Sequence, residues 1–277
     1  MKRSKRDKKR SIRREYVEQI KKNKVSFTFY VILRLIAILS LIISMLRGNY
    51  ENALLCVATL VLLLAPAFIE KKLSVELPTA LEVIVMCFVF AHTILGEIGC
   101  FYVKVPWWDT MLHTLNGFIC AGVGFSLVDL LNRHKRFKFE LSPMYVALVA
   151  FCFSMTIGVL WEFFEFGMDM LFNMDMQKDT VIHKINSVAL DRTNTNTVVT
   201  LDGIKNVTVN GSELGLDGYL DIGLIDTMKD LIVNFIGAVI FSVSGFFYVK
   251  YRGKKNKKFI EGLVPTVSTD DAEMVNK

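Results

Sequence analysis

Cysteine is scarce in this sequence, and its placement argues against several kinds of chemistry. The 277 residues include five cysteines, none of them lies in a Cys-x-x-Cys motif, and four sit within apolar runs. The sequence therefore offers neither a disulfide framework nor a zinc-knuckle site, because both need cysteines at characteristic spacings. The five are interpreted as small buried hydrophobic residues: Cys56, Cys87, Cys100, Cys120 and Cys152.

Familiar catalytic and targeting motifs are also missing. HExxH, GxSxG and the Arg and Ser-Gly-His elements of lipid phosphatases do not occur, and no organic cofactor is indicated. A cleavable signal peptide is not expected, because the first apolar run is too long for one. The sequence thus points to no known class of hydrolase by motif alone.

The chain is rich in apolar residues although it also carries many charged ones. The chain is 52% hydrophobic with a mean hydropathy of +0.40, yet 22% of it is charged. The apolar and the charged residues must therefore be segregated, the former into long runs and the latter into the connections between them. This pattern is typical of a polytopic membrane protein and excludes disordered, collagen-like and coiled-coil chains.

Six apolar runs have the length of a membrane span. Each is near the ~20 residues that a helix needs to cross ~30 Å of hydrocarbon, and only a helix satisfies its own backbone there. The sequence predicts an all-α bundle of six transmembrane helices within residues 25–250. The runs are Val25–Arg47, Glu51–Ile69, Thr79–Phe101, Asp109–Leu131, Tyr145–Phe166 and Lys229–Lys250.

Positive charge is distributed unevenly between the connections. Of the 33 Lys and Arg residues, 25 lie in the segments on the side of the termini and 6 in the connections on the other side. Because cytoplasmic loops are enriched in Lys and Arg, both termini are predicted to be cytoplasmic. The basic arm, residues 1–24, and the tail, residues 251–277, then flank the membrane domain on that side.

The basic arm, residues 1–24, contains 12 Lys and Arg residues. Beside the inner leaflet it is expected to attract anionic lipids, or to act only as a topology signal. Nucleic acid is not an expected partner, because the arm has almost no aromatic residues for base stacking. The lipid bilayer is therefore the partner that the sequence predicts.

The connection over residues 167–228 is predicted to be external and to contain a β-like insertion at 176–214. Asp202-Gly203 is a preferred dipeptide for a type I′ hairpin turn, so a small meander is expected. The predicted strands are Asn186–Leu190, Thr197–Leu201 and Ile204–Val209.

Ionisable residues cluster at the outer ends of the later spans, although an Asp at a helix centre costs ~2.5–3.5 kcal/mol. Within each span, helical spacing places the ionisable residues on one face of the helix. Helix capping would explain Asp109 or Asp226, and an acidic interfacial end would explain Asp169, but neither explains Glu162 or Asp230. The sets are Asp109, His113 and Asn116; Glu162, Glu165 and Asp169; and Asp226, Asp230 and Asn234, with His92 in the third span.

These residues are predicted to line one outward-facing polar pocket. Carboxylate and imidazole ligands suit a divalent cation such as Mg²⁺, Mn²⁺ or Zn²⁺, which would offset the repulsion between carboxylates. Protonation of some carboxyls, or a structural hydrogen-bond network, would also relieve it. The candidate ligands are Asp109, His113, Glu162, Glu165, Asp169, Asp226 and Asp230, supported by His92, Asn116 and Asn234.

The motifs that carry these residues resemble a known group. They are W-D-T-M-L-H from Trp108, W-E-F-F-E from Trp161, and D-x-G-L-I-D-T-M-K-D-L-I-x-N-x-x-G-A from Asp221. This pattern resembles the YjdF-like family of uncharacterised bacterial integral membrane proteins and, more distantly, VanZ-like proteins, which are tied to glycopeptide-antibiotic resistance. The resemblance implies a helical bundle in the bacterial inner membrane and brings no established activity.

Three functions are compatible with such a pocket. A hydrolase acting on a lipid-linked or envelope substrate would use His113, Glu162 or Glu165 as the base beside a metal-activated water. A transporter or ion-binding protein is the second, although transport needs polar residues through both halves of the membrane. The third is a non-catalytic envelope or drug-tolerance protein whose polar network fixes helix packing.

Overall fold

The computed structural model describes residues 24–73, 75–133, 141–193, 195–251 and 266–267. Six helices in this part of the chain are long and apolar enough to cross a membrane, which confirms the predicted six-span architecture. The predicted cytoplasmic arm and tail lie almost entirely outside the described residues. The last two spanning helices are longer at the loop end than predicted, so the long connection is confined to residues 173–223.

Local sequence signals set several helix boundaries. The side chain of Asn49 accepts a hydrogen bond from the Asn52 N–H at the start of the second span, and Ser142 caps the fifth span just before Pro143.

The α-helices of the described residues are α1 (Lys24–Leu46), α2 (Tyr50–Leu62), α3 (Ala65–Leu73), α4 (Thr79–Phe90), α5 (Phe101–Lys104), α6 (Trp108–Arg133), α7 (Pro143–Phe172) and α8 (Leu224–Lys250).

The third span changes geometry along its length. It begins as α4 and continues as a π-helical segment, Ala91–Ile98, which carries His92. Short π-helical turns are rare and occur frequently at functional sites. The segment ends where Cys100 adopts a left-handed conformation and α5 begins.

Two groups of helices form the bundle. One core lies between α6, α7 and α8 around Phe125, Val146 and Phe241, and the other joins α1, α2 and the third span around Leu33 and Phe90. Large apolar side chains cover the outside of the spans, as Leu54 and Phe163 illustrate with exposed fractions of 71% and 66%. An apolar exterior of this extent fits a hydrocarbon solvent.

Helices α6 and α8 approach each other closely at two glycines. A Cβ atom on Gly117 would lie 2.0 Å from the carbonyl oxygen of Asn234, and one on Gly237 would lie 2.0 Å from that of Thr114. Small residues allow such backbone contact between membrane helices. This contact brings the beginnings of α6 and α8 together at the end of the bundle that carries residues 173–223, called the loop side below.

The long connection contains short antiparallel strand pairs, in agreement with the predicted β-like insertion. The predicted hairpin at Asp202-Gly203 is wrong, because Val199–Asp202 pairs with the upstream strand Lys184–Ser187 and only Gly203 of the dipeptide has a positive φ. The type I′ turn is instead formed by Asn210 and Gly211, both with positive φ. The pairs in this connection are β2 (Val181–Ile182) with β7 (Tyr219–Leu220), β3 (Lys184–Ser187) with β4 (Val199–Asp202), and β5 (Thr208–Val209) with β6 (Ser212–Glu213). Outside it, β1 (Val75–Glu76) pairs with β8 (Thr266–Val267).

Candidate metal centre

Three helices bring four potential metal ligands to one place on the loop side. His113 comes from α6, Glu162 and Glu165 from α7, and Asp230 from α8. One ligand atom from each of these residues lies within 4.8 Å of the corresponding atom of every other. The three carboxylates are buried, with exposed fractions of 5%, 7% and 3% in the order named.

A second group of carboxylates adjoins the first. Asp109 and Asp226, from the first turns of α6 and α8, each offer an oxygen within 4.8 Å of the other and of an Asp230 oxygen. Asp230 therefore belongs to both groups. The second group is nearer to solvent, since the side chain of Asp109 is 33% exposed whereas that of Asp230 is 4% exposed.

The imidazole of His113 lies between the carboxylates. Its Nδ1 is 3.9 Å from Oε1 of Glu162, and its Nε2 is 3.5 Å from Oδ1 of Asp109 and 3.7 Å from Oδ2 of Asp230. These distances exceed those of good hydrogen bonds. The ring is thus near three carboxylates without being closely bound to any of them.

Glu162 has an unusual environment for a buried carboxylate. Its Oε2 atom is buried and has no hydrogen-bond partner among the described residues. A buried polar atom without a partner costs about 1–3 kcal/mol, and more when it is charged. Oε2 of Glu162 is therefore available to bind a proton or a cation.

Helix termini favour negative charge at this end of the bundle. Both α6 and α8 begin here, with Asp109 and Asp226 in their first turns. The positive end of a helix dipole stabilises an acidic side chain by about 0.3–1 kcal/mol. That contribution is too small to offset several neighbouring carboxylates, whose mutual repulsion is a few kcal/mol per pair at ~4 Å.

Asp169 is not brought into either group. Its two carboxylate oxygens accept hydrogen bonds from the backbone N–H groups of Met176 and Gln177, at 2.6 and 2.8 Å. The next residue, Lys178, donates its N–H to Oδ2 of Asp226 at 2.7 Å. Residues 176–178 are thereby bound to the end of α7 and to the start of α8.

Aromatic residues support Glu165 from the side. The indole N–H of Trp161 donates to Oε1 of Glu165 at 2.9 Å, and the ring of His92 contacts Trp161 edge-on with centroids 5.4 Å apart. His92 therefore lies behind the candidate ligands rather than among them. Its Nδ1 forms a hydrogen bond with the hydroxyl of Tyr102, a residue that the sequence analysis did not single out.

Tyr102 remains a neutral phenol in these surroundings. Burial raises the pKa of its hydroxyl, and the nearby carboxylates of Asp109 and Glu97 raise that pKa further. A neutral phenol is a hydrogen-bond donor. Sequence spacing could not reveal this contact, because it depends on the turn at Cys100 that folds Tyr102 back towards the π-helical segment.

The two predicted supporting amides meet below the carboxylates. The Asn116 amide donates to Oδ1 of Asn234 at 3.3 Å, and Asn234 is 1% exposed. Gly158 leaves room for the Asn234 side chain, because a Cβ at Gly158 would lie 2.7 Å from its Nδ2. This amide pair connects α6 to α8 and forms the inner floor of the candidate centre.

Most of the chain is similar to a known protein family. Residues 29–251 match a family described as "Predicted membrane protein (DUF2238)". An uncharacterized protein of Thermotoga maritima is 30% identical over 105 residues, which are 38% of this chain and 52% of that protein, so the match spans about half of that relative. No solved structure matches. Because the family match covers most of the described helices, this chain belongs to the DUF2238 family of predicted membrane proteins.

Proposed function

We propose that this protein binds a divalent cation in the bacterial inner membrane and uses it to hydrolyse a lipid-linked or envelope substrate at the outer face. The observation that carries the proposal is the group of four ligand atoms from His113, Glu162, Glu165 and Asp230, all within 4.8 Å of one another. Opposite ligands of an octahedral Mg²⁺ lie about 4.2 Å apart, given its metal–oxygen distances. Small side-chain shifts would therefore close this group on a cation.

The residues have distinct roles in this proposal. The cation would lower the pKa of a bound water and so supply a nucleophile at neutral pH. Glu162 is the preferred base among His113, Glu162 and Glu165, because a carboxylate can bind the cation through one oxygen and accept a proton at the other, and its Oε2 has no hydrogen-bond partner among the described residues. His113, whose ring lies beside three carboxylates, would serve as a ligand of the cation. Trp161 orients Glu165 by hydrogen bonding to its carboxylate.

The proposal is tested by hydrolysis in a defined membrane. The purified protein is reconstituted into liposomes that contain a polyprenyl diphosphate, and phosphate release is measured with Mn²⁺, Mg²⁺ or Zn²⁺ and with chelator. We expect cation-dependent release that Glu162→Gln lowers at least tenfold, while Glu213→Gln, at an exposed carboxylate of the loop, leaves it unchanged. Release that persists in chelator, or in Glu162→Gln, would contradict the proposal for this substrate class.

The orientation of the chain is part of the proposal, because a hydrolase of envelope substrates needs the loop side outside. The 25 to 6 distribution of Lys and Arg supports that orientation. Cytoplasmic and external reporters fused at residues 137, 200 and 277 are expected to show only residue 200 outside. An external signal at 137 or 277, or a cytoplasmic signal at 200, would refute it.

A second candidate is a non-catalytic envelope or drug-tolerance protein, as the YjdF-like and VanZ-like resemblance of the motifs suggests. The observation that favours it is the number of polar contacts that join the same helices. Asn116 bonds to Asn234, and the Ser154 hydroxyl donates to the carbonyl of Gly117 at 2.7 Å. In this case the carboxylates would stabilise helix packing through shared protons, without a cation.

A further inference from the structure

We infer that the candidate centre holds two divalent cations, bridged by Asp230. This inference rests on the proposed cation site and extends it from one ion to two. Asp230 is the residue that the two ligand groups share. A carboxylate has two oxygens, so it can bind one ion through each, as in two-metal sites whose ions lie about 3.5–4 Å apart.

Each ion has its own remaining ligands. The inner ion is bound by His113, Glu162 and Glu165, whereas the outer ion is bound by Asp109 and Asp226. Within the described residues, Asp226 has its Oδ1 available for this role, because the hydrogen bond that it accepts from the Lys178 N–H ends on Oδ2. The buried Oε2 atom of Glu162, which has no hydrogen-bond partner among those residues, is an independent indication that the cluster takes a ligand.

The balance of charge favours two ions over one. The two groups together contain five carboxylates, at positions 109, 162, 165, 226 and 230. In the part of the chain that the structure describes, no Lys or Arg nitrogen lies within 4 Å of them; the nearby Lys178 ammonium pairs with Asp175 instead. One divalent cation offsets two of five negative charges, while two cations offset four, and His113 can then remain neutral as a ligand.

The two ions differ in accessibility. The inner ion is surrounded by side chains that are 12%, 6% and 4% exposed for His113, Glu162 and Asp230. The outer ion lies beside Asp109, which is 33% exposed, and beside Asp226, whose Oδ2 accepts a hydrogen bond from the Lys178 N–H. We therefore expect the outer ion to exchange faster and to keep water in its coordination shell.

The test is the number of Mn²⁺ ions per chain and their magnetic coupling. The full-length protein in detergent is loaded with Mn²⁺ and desalted. The Mn²⁺ content per chain is measured by mass spectrometry, and the magnetic coupling between the ions is measured by low-temperature electron paramagnetic resonance. We expect two Mn²⁺ per chain with a spin-coupled spectrum. Asp226→Asn should retain one Mn²⁺ with an uncoupled six-line spectrum, and Glu213→Gln should retain two coupled ions.

Asp109→Asn provides a second variant on a different helix, in case Asp226→Asn does not fold. It should lose the same single ion. One Mn²⁺ per chain in the wild type, unchanged by both substitutions, would overturn the two-ion inference and leave the proposed cation site in place. No bound Mn²⁺, Mg²⁺ or Zn²⁺ in the wild type would overturn both.

Discussion

Chelation of divalent cations is expected to lower the melting temperature of the purified protein at neutral pH, and Mg²⁺, Mn²⁺ or Zn²⁺ should restore it. A ligand that binds only the folded state at 100 times its Kd stabilises that state by about 2.7 kcal/mol. For a chain of this size, that corresponds to a shift of roughly 5–10 °C. The shift arises because removing the cation leaves the carboxylates of Glu162, Glu165 and Asp230 unbalanced beside one another.

Substitutions of the candidate ligands should abolish the response of the melting temperature to chelator without unfolding the protein. Glu162→Gln and Asp230→Asn each remove one repelling charge, so the cation-free variants are expected to be as stable as the cation-free wild type, or more stable. Glu213→Gln, at an exposed carboxylate outside the cluster, should keep the full response. A wild-type melting temperature that ignores chelator would contradict the cation site.

The proton-sharing alternative predicts a different pH dependence. If the folded state holds extra protons on these carboxyls, it binds more protons than the unfolded state, so stability falls as pH rises. Stability would then be greatest at low pH and would not respond to chelator. A melting series across pH, with and without chelator, separates the two, because a bound divalent cation is displaced by protons and stabilises more as pH rises.

Gly237→Ala is expected to disrupt the contact between α6 and α8. Its Cβ would lie 2.0 Å from the backbone oxygen of Thr114, which no side-chain movement can relieve, so the helices must separate. Overpacking of this kind costs about 1–3 kcal/mol and sometimes more. Since Thr114 adjoins His113, separation also moves the imidazole away from Asp230, and the response to Mn²⁺ should weaken in parallel.

Gly167→Ala is the matched control for this prediction. Gly167 lies in α7, has no atom within 4 Å of an added Cβ, and has no positive φ. Alanine favours an exposed helix by up to about 1 kcal/mol over glycine, so this variant should be unchanged or slightly more stable. Equal melting temperatures for Gly237→Ala and Gly167→Ala would show that the close helix contact does not limit stability.

Local patterns were sufficient for the architecture and for most of the candidate ligands. Long apolar runs must become helices in a membrane, so the six spans follow from hydropathy alone. Helical spacing likewise places Glu162 with Glu165, and Asp226 with Asp230, on one face. The hairpin that the Asp202-Gly203 dipeptide predicted is wrong, because the partner of the strand before it lies upstream in the chain and a dipeptide carries no information about a distant partner.

The sequence by itself determined the spans and the composition of the acidic cluster, since both depend on burial cost and on the period of a single helix. Only the tertiary structure decided which residues share a centre. Glycine contacts between α6 and α8 bring His113 to Asp230, whereas the end of α7 directs Asp169 to the backbone of residues 176–177. The spacing of Asp169 on α7 resembles that of the candidate ligands, but its partners are set by the path of the loop, which no helical period encodes.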